Sequence, residues 1–382
     1  MNSITPSILH VSQPTEGGVC RCVLELAADQ LERGWEVAVA GPGGELEQEA
    51  RELGARHLTW EAGRSPGPGT AAETLRLRRL IARAEPTLVH LHSSKAGVAG
   101  RLALHGRRPT VFQPHGWSFY PLSGALRRAA VAWERTGARW AAAVVCVSDT
   151  ERRRGEAEGI RARWEVVPNG VDVRALAPAS AGDRAAARKR LGLPEGPLVV
   201  CLGRICRAKG QDQLVEAWPD VLTRVPEARL VLVGGGPDLE AVRAQAGDAV
   251  DFVGERSDVP DWLAAADVVA APSRWEGMSF AMLETMASAR SLVITDVPGA
   301  HDALGEGAAG IVPLGDREAL ASGIVTRLLD PGLAAEEGAA LRVRVERHHD
   351  LRDSTRAAAN LYARLLQAPL TGLEDAKLAA AQ

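Results

Sequence analysis

Two glutamates, Glu276 and Glu284, stand with seven residues between them, and Gly277-Met278-Ser279 opens the helix on which the second falls. A helix start offers backbone N–H groups and the positive end of its dipole to an anion. Carboxylates accept paired hydrogen bonds from vicinal hydroxyls. The pattern therefore suits a diphosphate lying between two polyhydroxylated groups. Upstream, Gly203-Arg204-Ile205-Cys206-Arg207-Ala208-Lys209-Gly210 leaves the apolar run Leu198–Leu202 and enters a helix. Arg204 and Lys209 there would stabilise charge building on a departing diphosphate, the arginine as a bidentate fork and the lysine as a point charge. Arg207 reads as solvated.

Other segments carry weaker signals. Glu16-Gly17-Gly18-Val19 lets a ligand approach the backbone at Gly18, although the glycine spacing of a dinucleotide site is absent. His115, in Pro114-His115-Gly116-Trp117-Ser118-Phe119, is equally compatible with a structural histidine and with a contact to a bound sugar. Ser94 and Lys95, in His92-Ser93-Ser94-Lys95, could line an acceptor, as could Trp117. Gly234-Gly235-Gly236-Pro237 could admit a nucleotide, and Val253-Gly254-Glu255-Arg256 could cover a base. Each of these, taken alone, also fits an ordinary βα turn.

Elements that would position these residues follow from periodicity. Short apolar runs alternate with longer amphipathic stretches, the pattern of βα units on a parallel sheet. Strands are predicted at Ile8–Ser12, Glu36–Ala40, Leu88–His92, Thr110–Gln113, Ala143–Ser148 and Glu165–Pro168, with helices over Val19–Arg33, Thr70–Ala84 and Gly124–Trp140. Asn169-Gly170-Val171-Asp172 reads as a turn at a domain junction, and the small residues 175–187 as a linker. A second set of strands follows at Leu198–Leu202, Arg229–Val233, Asp251–Val253, Val268–Pro272, Leu292–Asp296 and Ile311–Pro313, with helices starting near Gln211, Pro237, Asp258, Phe280 and Arg317. The class is α/β: two doubly wound halves facing a central cleft, then a last helix over about Arg352–Leu366 and a frayed tail from Ala368.

Bulk properties agree. A chain of 382 residues calls for two domains. It is 46% hydrophobic and 24% charged, as soluble globular proteins are. A net charge of −3 supplies no basic surface for nucleic acid. The five cysteines are odd in number and scattered, which argues for thiols in a reducing compartment and against disulfides or a metal site. No apolar run is long enough to span a bilayer, and the N-terminus lacks the pattern of a secretory signal. The expected location is the cytoplasm. Arg76, Arg78, Arg79 and Arg83 form a solvated helix face that leaves a weak membrane-surface role open.

In this order the pieces resemble glycosyltransferase family four (glycosyl transferases group 1), from Gly17 to about Leu366. The resemblance implies a GT-B fold of two Rossmann-like domains. Residues 1–173 would be the acceptor-side domain, 174–350 the nucleotide-sugar domain, and 351–382 a helix crossing back to the first domain with its tail. It implies a retaining transfer from a nucleotide diphosphate sugar, with no metal ion and no cofactor. Arg204, Lys209, Glu276 and His115 would form the catalytic set. Arg204 and Lys209 would bind the diphosphate, Glu276 the sugar hydroxyls, Glu284 the ribose hydroxyls, and His115 the sugar near its reacting face. Gly18, Gly203, Gly236, Gly277, Met278, Ser279 and Arg256 would complete the donor contacts. The segments around His92, His115 and Ser273-Arg274-Trp275-Glu276-Gly277 look like the branch that builds polysaccharides and glycolipids, often from UDP-sugars. The expected acceptor is a small-molecule, lipid-linked or polysaccharide hydroxyl. A nucleotide-sugar epimerase and a non-catalytic sugar-nucleotide-binding subunit are the rival readings.

Overall fold

The computed structural model describes residues 5–64 and 67–367. They fold as two compact units, one made of the chain up to Pro168 together with the residues from Ser354 onward, the other of Asn169–Asp353. The division falls before Asn169 because the Asn169 amide donates to the Met278 carbonyl at 2.7 Å and Val171 bridges to Asp350.

The first unit carries seven parallel strands: β1 Ser7–Ser12, β2 Glu36–Gly41, β3 Arg56–Thr59, β4 Leu88–His92, β5 Thr110–Gln113, β6 Ala143–Cys146 and β7 Trp164–Val166, ordered β3-β2-β1-β4-β5-β6-β7. The order reverses between β1 and β4. Side chains alternate across the sheet. Leu9, Val11, Val89 and Leu91 enter one apolar core beneath helices Thr70–Ala84 and Ser93–Leu104. His10, His90 and His92 therefore face the opposite side, where helix Gly17–Glu32 packs. The last helix, Leu351–Gln367, begins in the second unit and from Ser354 belongs to the first. There the Tyr362 hydroxyl reaches Nδ1 of His90 and Ser354 donates to the Pro168 carbonyl. The expected tail from Ala368 lies outside the described residues.

The second unit repeats the logic with six parallel strands: β8 Leu198–Leu202, β9 Arg229–Val233, β10 Val250–Gly254, β11 Val268–Ala271, β12 Ser291–Thr295 and β13 Ile311–Val312, ordered β10-β9-β8-β11-β12-β13. Here the reversal lies between β8 and β11. Leu214, Trp218 and Val221 of helix Gln211–Arg224 and Leu320, Ile324 and Val325 of helix Arg317–Leu329 cover one face in a single apolar cluster.

The linker expected over 175–187 is in part a helix, Ala181–Arg190. Ser180 Oγ accepts from the Asp183 N–H at 3.2 Å, and the Asp183 carboxylate accepts from the Ser180 N–H at 3.0 Å. This reciprocal cap satisfies helix-end donors, and the alanines after it are the best helix formers. Arg188 then ties the helix to the sheet through Asp267 and the Gly196 carbonyl. Ser180→Ala should lower stability by about 1 kcal/mol, read as a fall in urea midpoint at unchanged m-value.

Candidate active site

In an open α/β sheet, ligands settle at the carboxyl ends of the strands where the order reverses. In the second unit that point lies between β8 and β11, and the two loops leaving these strands meet there. Lys209, from the β8 loop, forms an ion pair with Glu276, from the β11 loop. Glu276 Oε1 also accepts from Ser273 Oγ at 2.9 Å. Both side chains are partly accessible. Ser279 caps helix Phe280–Ala287 by accepting from the Met282 N–H at 3.2 Å. Glu284 sits half-buried on that helix.

Close backbone packing sets the loops. Gly203 has φ +132°, and Gly236 has φ +152°. A Cβ on Gly236 would lie 2.2 Å from the Ile205 carbonyl oxygen, so the β9 loop presses directly on the β8 loop. The Ile205 N–H donates to the Gly235 carbonyl at 2.7 Å. Gly277 packs its carbonyl against Gly299 just as tightly. Of the expected donor residues, Gly203, Arg204, Lys209, Gly236, Glu276, Gly277 and Ser279 thus lie on three loops at neighbouring strand ends. Met278 is 4% exposed, so its side chain is core and its carbonyl is held by Asn169. Arg256 lies beyond β10, exposed and paired with Asp258.

Residues that sequence reasoning passed over hold these loops. Arg274 forms a two-pronged bond with Asp212, both contacts 2.7 Å, and its N–H donates to the Ala208 carbonyl at 2.7 Å. The guanidinium holds the Asp212 carboxyl below its usual range. Gln211 donates to the carbonyls of Gly203 and Arg204, and Gln213 to that of Pro272. The signal available for Gln211, Asp212 and Gln213 was the polar run at the start of a helix following a strand-end loop.

In the first unit the reversal between β1 and β4 brings together the histidine face. Gly18 stands exposed in the first turn of helix Gly17–Glu32, and Ser94 half-buried in the first turn of helix Ser93–Leu104. His115 follows β5 with φ +53°, and its Nε2 lies 3.0 Å from His92 Nδ1. The turn is held by Glu151, whose carboxylate accepts from the Gly116 N–H at 2.6 Å and the Val147 N–H at 2.8 Å.

Two acceptor-side expectations are corrected. Lys95 is 3% exposed and its ammonium pairs with Glu73, which also accepts from the Gly63 N–H. A buried ion pair of this kind ties helix Ser93–Leu104 to helix Thr70–Ala84 and faces no acceptor. Trp117 is 2% exposed. It stacks on Phe119, meets Trp164 edge-on, and donates from its indole to the Glu151 carbonyl at 2.8 Å. Both residues follow a strand end, yet both side chains turn inward.

The family model "Glycosyltransferase Family 4" matches residues 16–175, and "Glycosyl transferases group 1" matches residues 196–330. A GDP-mannose-dependent alpha-(1-6)-phosphatidylinositol monomannoside mannosyltransferase of Mycobacterium tuberculosis is 34% identical over 72% of this chain and 75% of its own. The chain belongs to glycosyltransferase family 4. A protein of the same description from Mycolicibacterium smegmatis is 33% identical over 86% of this chain and 90% of its own. The crystal structure of Anabaena HepE in complex with UDP and glucose superposes with a TM-score of 0.81, at 22% identity, over 94% of this chain and 100% of that one. The fold is therefore GT-B, and the chain is a glycosyltransferase.

Burial makes two sets of groups in the first unit pH-sensitive, with opposite signs. It lowers His10 from 6.5 to about 4 and His115 to about 3, and depresses His90 and His92 likewise. These rings stay neutral when folded, whereas the unfolded chain takes up protons below pH 6.5. Their contribution is complete above pH 6.5 and is lost progressively as pH falls below it, down to about 4 for His10. The melting temperature should therefore fall steeply from pH 6.5 to 5; a flat profile there would refute neutral burial. Burial instead pushes Glu151 up to about 7. Its native carboxyl keeps a proton that the unfolded chain has released, so its contribution declines as pH rises from about 4.5 through 7. Glu151→Gln should compare more favourably with the parent at pH 8 than at pH 5, by up to about 3 kcal/mol in denaturant titrations.

Proposed function

We propose that this glycosyltransferase moves a mannosyl group from GDP-mannose, with retention, to a hydroxyl of an inositol phospholipid. The observation that carries the transfer chemistry is the Lys209–Glu276 pair at the reversal point of the second sheet. In a nucleotide diphosphate sugar, an anionic phosphate is joined through one oxygen to a ring of hydroxyls. A cation touching a carboxylate matches that junction. Lys209 and Arg204 meet the phosphates, Glu276 the sugar hydroxyls, and Glu284 the ribose.

In the front-face reaction, the C1–phosphate oxygen bond breaks and the acceptor oxygen bonds to C1 on the same side. The acceptor's proton passes to the departing phosphate oxygen. Fixed cations lower the barrier because charge on that phosphate grows only as the bond breaks. The positive charge comes from side chains, so this reading calls for no metal ion.

The sequence reading favoured a UDP-sugar. GDP-mannose replaces it here because relatives named for that donor in Mycobacterium tuberculosis, Mycolicibacterium smegmatis and Corynebacterium glutamicum stand at 31 to 34% identity. Their names also supply the phosphatidylinositol mannoside acceptor. No helix among the described residues is long and apolar enough to cross a membrane. Exposed Arg76, Arg78, Arg79 and Arg83 on helix Thr70–Ala84 give the first unit a basic face toward an anionic bilayer.

Thermal shift against a panel of nucleotide sugars tests the donor. GDP-mannose should raise the melting temperature most, and a larger shift with a UDP-sugar would overturn that choice. Lys209→Ala should lower kcat by roughly 100-fold or more with little change in donor KM. Full activity in that variant would refute the leaving-group assignment.

A further inference from the structure

Three imidazoles and one amide form an unbroken chain inside the first unit. Gln30 Oε1 lies 2.9 Å from His10 Nε2, His10 Nδ1 lies 3.0 Å from His92 Nε2, and His92 Nδ1 lies 3.0 Å from His115 Nε2. Gln30 is 1% exposed, and His10 and His92 are buried as fully. Strand register makes the chain possible, because β1 and β4 pair His10 opposite His90 and Ser12 opposite His92. A neutral imidazole has one donor nitrogen and one acceptor nitrogen. His10 and His92 are bonded at both nitrogens, so the proton position on one ring dictates it on every other.

Gln30 sets the direction. An amide oxygen only accepts, so His10 carries its proton on Nε2 and offers the Nδ1 lone pair. The Gln30 side chain also bonds to the Tyr362 hydroxyl. With Oε1 on His10 Nε2, the NH2 end is the one left for that contact. His92 then donates from Nε2 to His10 and accepts at Nδ1. His115 must donate from Nε2 to His92, which leaves its Nδ1 as a bare lone pair. No hydrogen bond to His115 Nδ1 occurs among the described residues.

We propose that Gln30, His10 and His92 are positioning residues that lock His115 in its Nε2–H tautomer, so that Nδ1 accepts a hydrogen bond from a hydroxyl of the transferred sugar. The relay itself rests on geometry, and its use in catalysis rests on the reading of His115 as a sugar contact. The direction matters electronically. As the glycosidic bond breaks, positive charge develops on the sugar. A hydroxyl that donates to nitrogen becomes more electron-rich and supports that charge, whereas one that accepts from an N–H is depleted. A locked acceptor therefore acts more on turnover than on donor binding. It also selects hydroxyl-bearing sugars over analogues deoxygenated at that carbon.

Long-range proton–nitrogen NMR of the full chain labelled with 15N-histidine tests the relay without any variant, His115→Ala serving only to assign the signal. The expected result is a protonated Nε2 and an unprotonated Nδ1 on His115 at pH 7.5. The opposite tautomer overturns the relay. So does a stoichiometric metal ion in the purified chain. His10, His90 and His92 each bring a nitrogen within 4.8 Å of the others, and an ion there would take lone pairs that the relay needs for hydrogen bonds. Gln30→Met, close in shape but without the amide oxygen, should give mixed tautomers at His115. Its kcat should drop roughly tenfold while donor KM stays within about threefold. Unchanged tautomers in that variant refute Gln30 as the director. If His115→Ala keeps full kcat, the sugar contact is wrong even where the tautomer is as stated, and the catalytic part of the proposal falls.

Discussion

The contact between the Lys209 ammonium and the Glu276 carboxylate is the interaction on which the second unit is organised. It exists because β8 and β11 are neighbours whose crossovers depart in opposite directions, so their outgoing loops meet. The pair is only partly accessible, and for such a pair the cost of desolvating two charges offsets most of their attraction, so it contributes little net stability. The loops that carry it are nonetheless fastened heavily, through Arg274 on Asp212, Gln211 on the Gly203 and Arg204 carbonyls, and glycines that admit no Cβ. So much scaffolding around a pair worth so little by itself points to chemistry as the reason for it.

The first unit makes a complementary sacrifice. Its sheet could have covered the β1–β4 face with aliphatic side chains, as it does on the opposite face with Leu9, Val11, Val89 and Leu91. It buries His10, His90 and His92 instead. Neutral imidazoles that are bonded to each other, as His10 and His92 are, or to the Tyr362 hydroxyl, as His90 is at Nδ1, cost less than isolated polar groups, yet they expose the fold to acid. The last helix returns to this face and inserts the Tyr362 hydroxyl against His90. Its role in the first unit is therefore to close a polar core.

Much of the scaffold was legible because the buried strands are short, mainly apolar runs between longer amphipathic stretches. Leu88–His92, Thr110–Gln113, Leu198–Leu202 and Arg229–Val233 have the bounds that the sequence predicts. The helix Ala181–Arg190 was missed because small residues read as a linker, although Ser180 and Asp183 stood at capping spacing. Lys95 and Trp117 were placed on the acceptor side because a strand end locates a residue in the chain without giving its direction. Their partners, Glu73 and Glu151, lie on other elements. Asp212 and Arg274 meet across a long stretch of sequence, which no local pattern announces. The histidine face was within reach: alternation in Leu88–His92 already sets His90 and His92 apart from Leu91, and β1 does the same for His10.

Charge, finally, separates the two units in a way that follows the proposed reaction. Breaking a glycosyl phosphate bond leaves negative charge on the phosphate and positive charge on the sugar carbon. The second unit offers cations, Arg204 and Lys209, which suit the first. A histidine that meets the sugar must not be a cation, because it would oppose the second. Burial meets this requirement by driving His115 down to about 3, so the ring is neutral throughout the physiological range. Its neighbours are depressed for the same reason, and Gln30 brings only a neutral amide oxygen. A carboxylate in place of Gln30 would favour a proton on His10 and send charge toward His115. The amide is thus the side chain that can direct the relay while leaving it uncharged, which is why the same buried face can be both tautomer-locked and electrostatically silent.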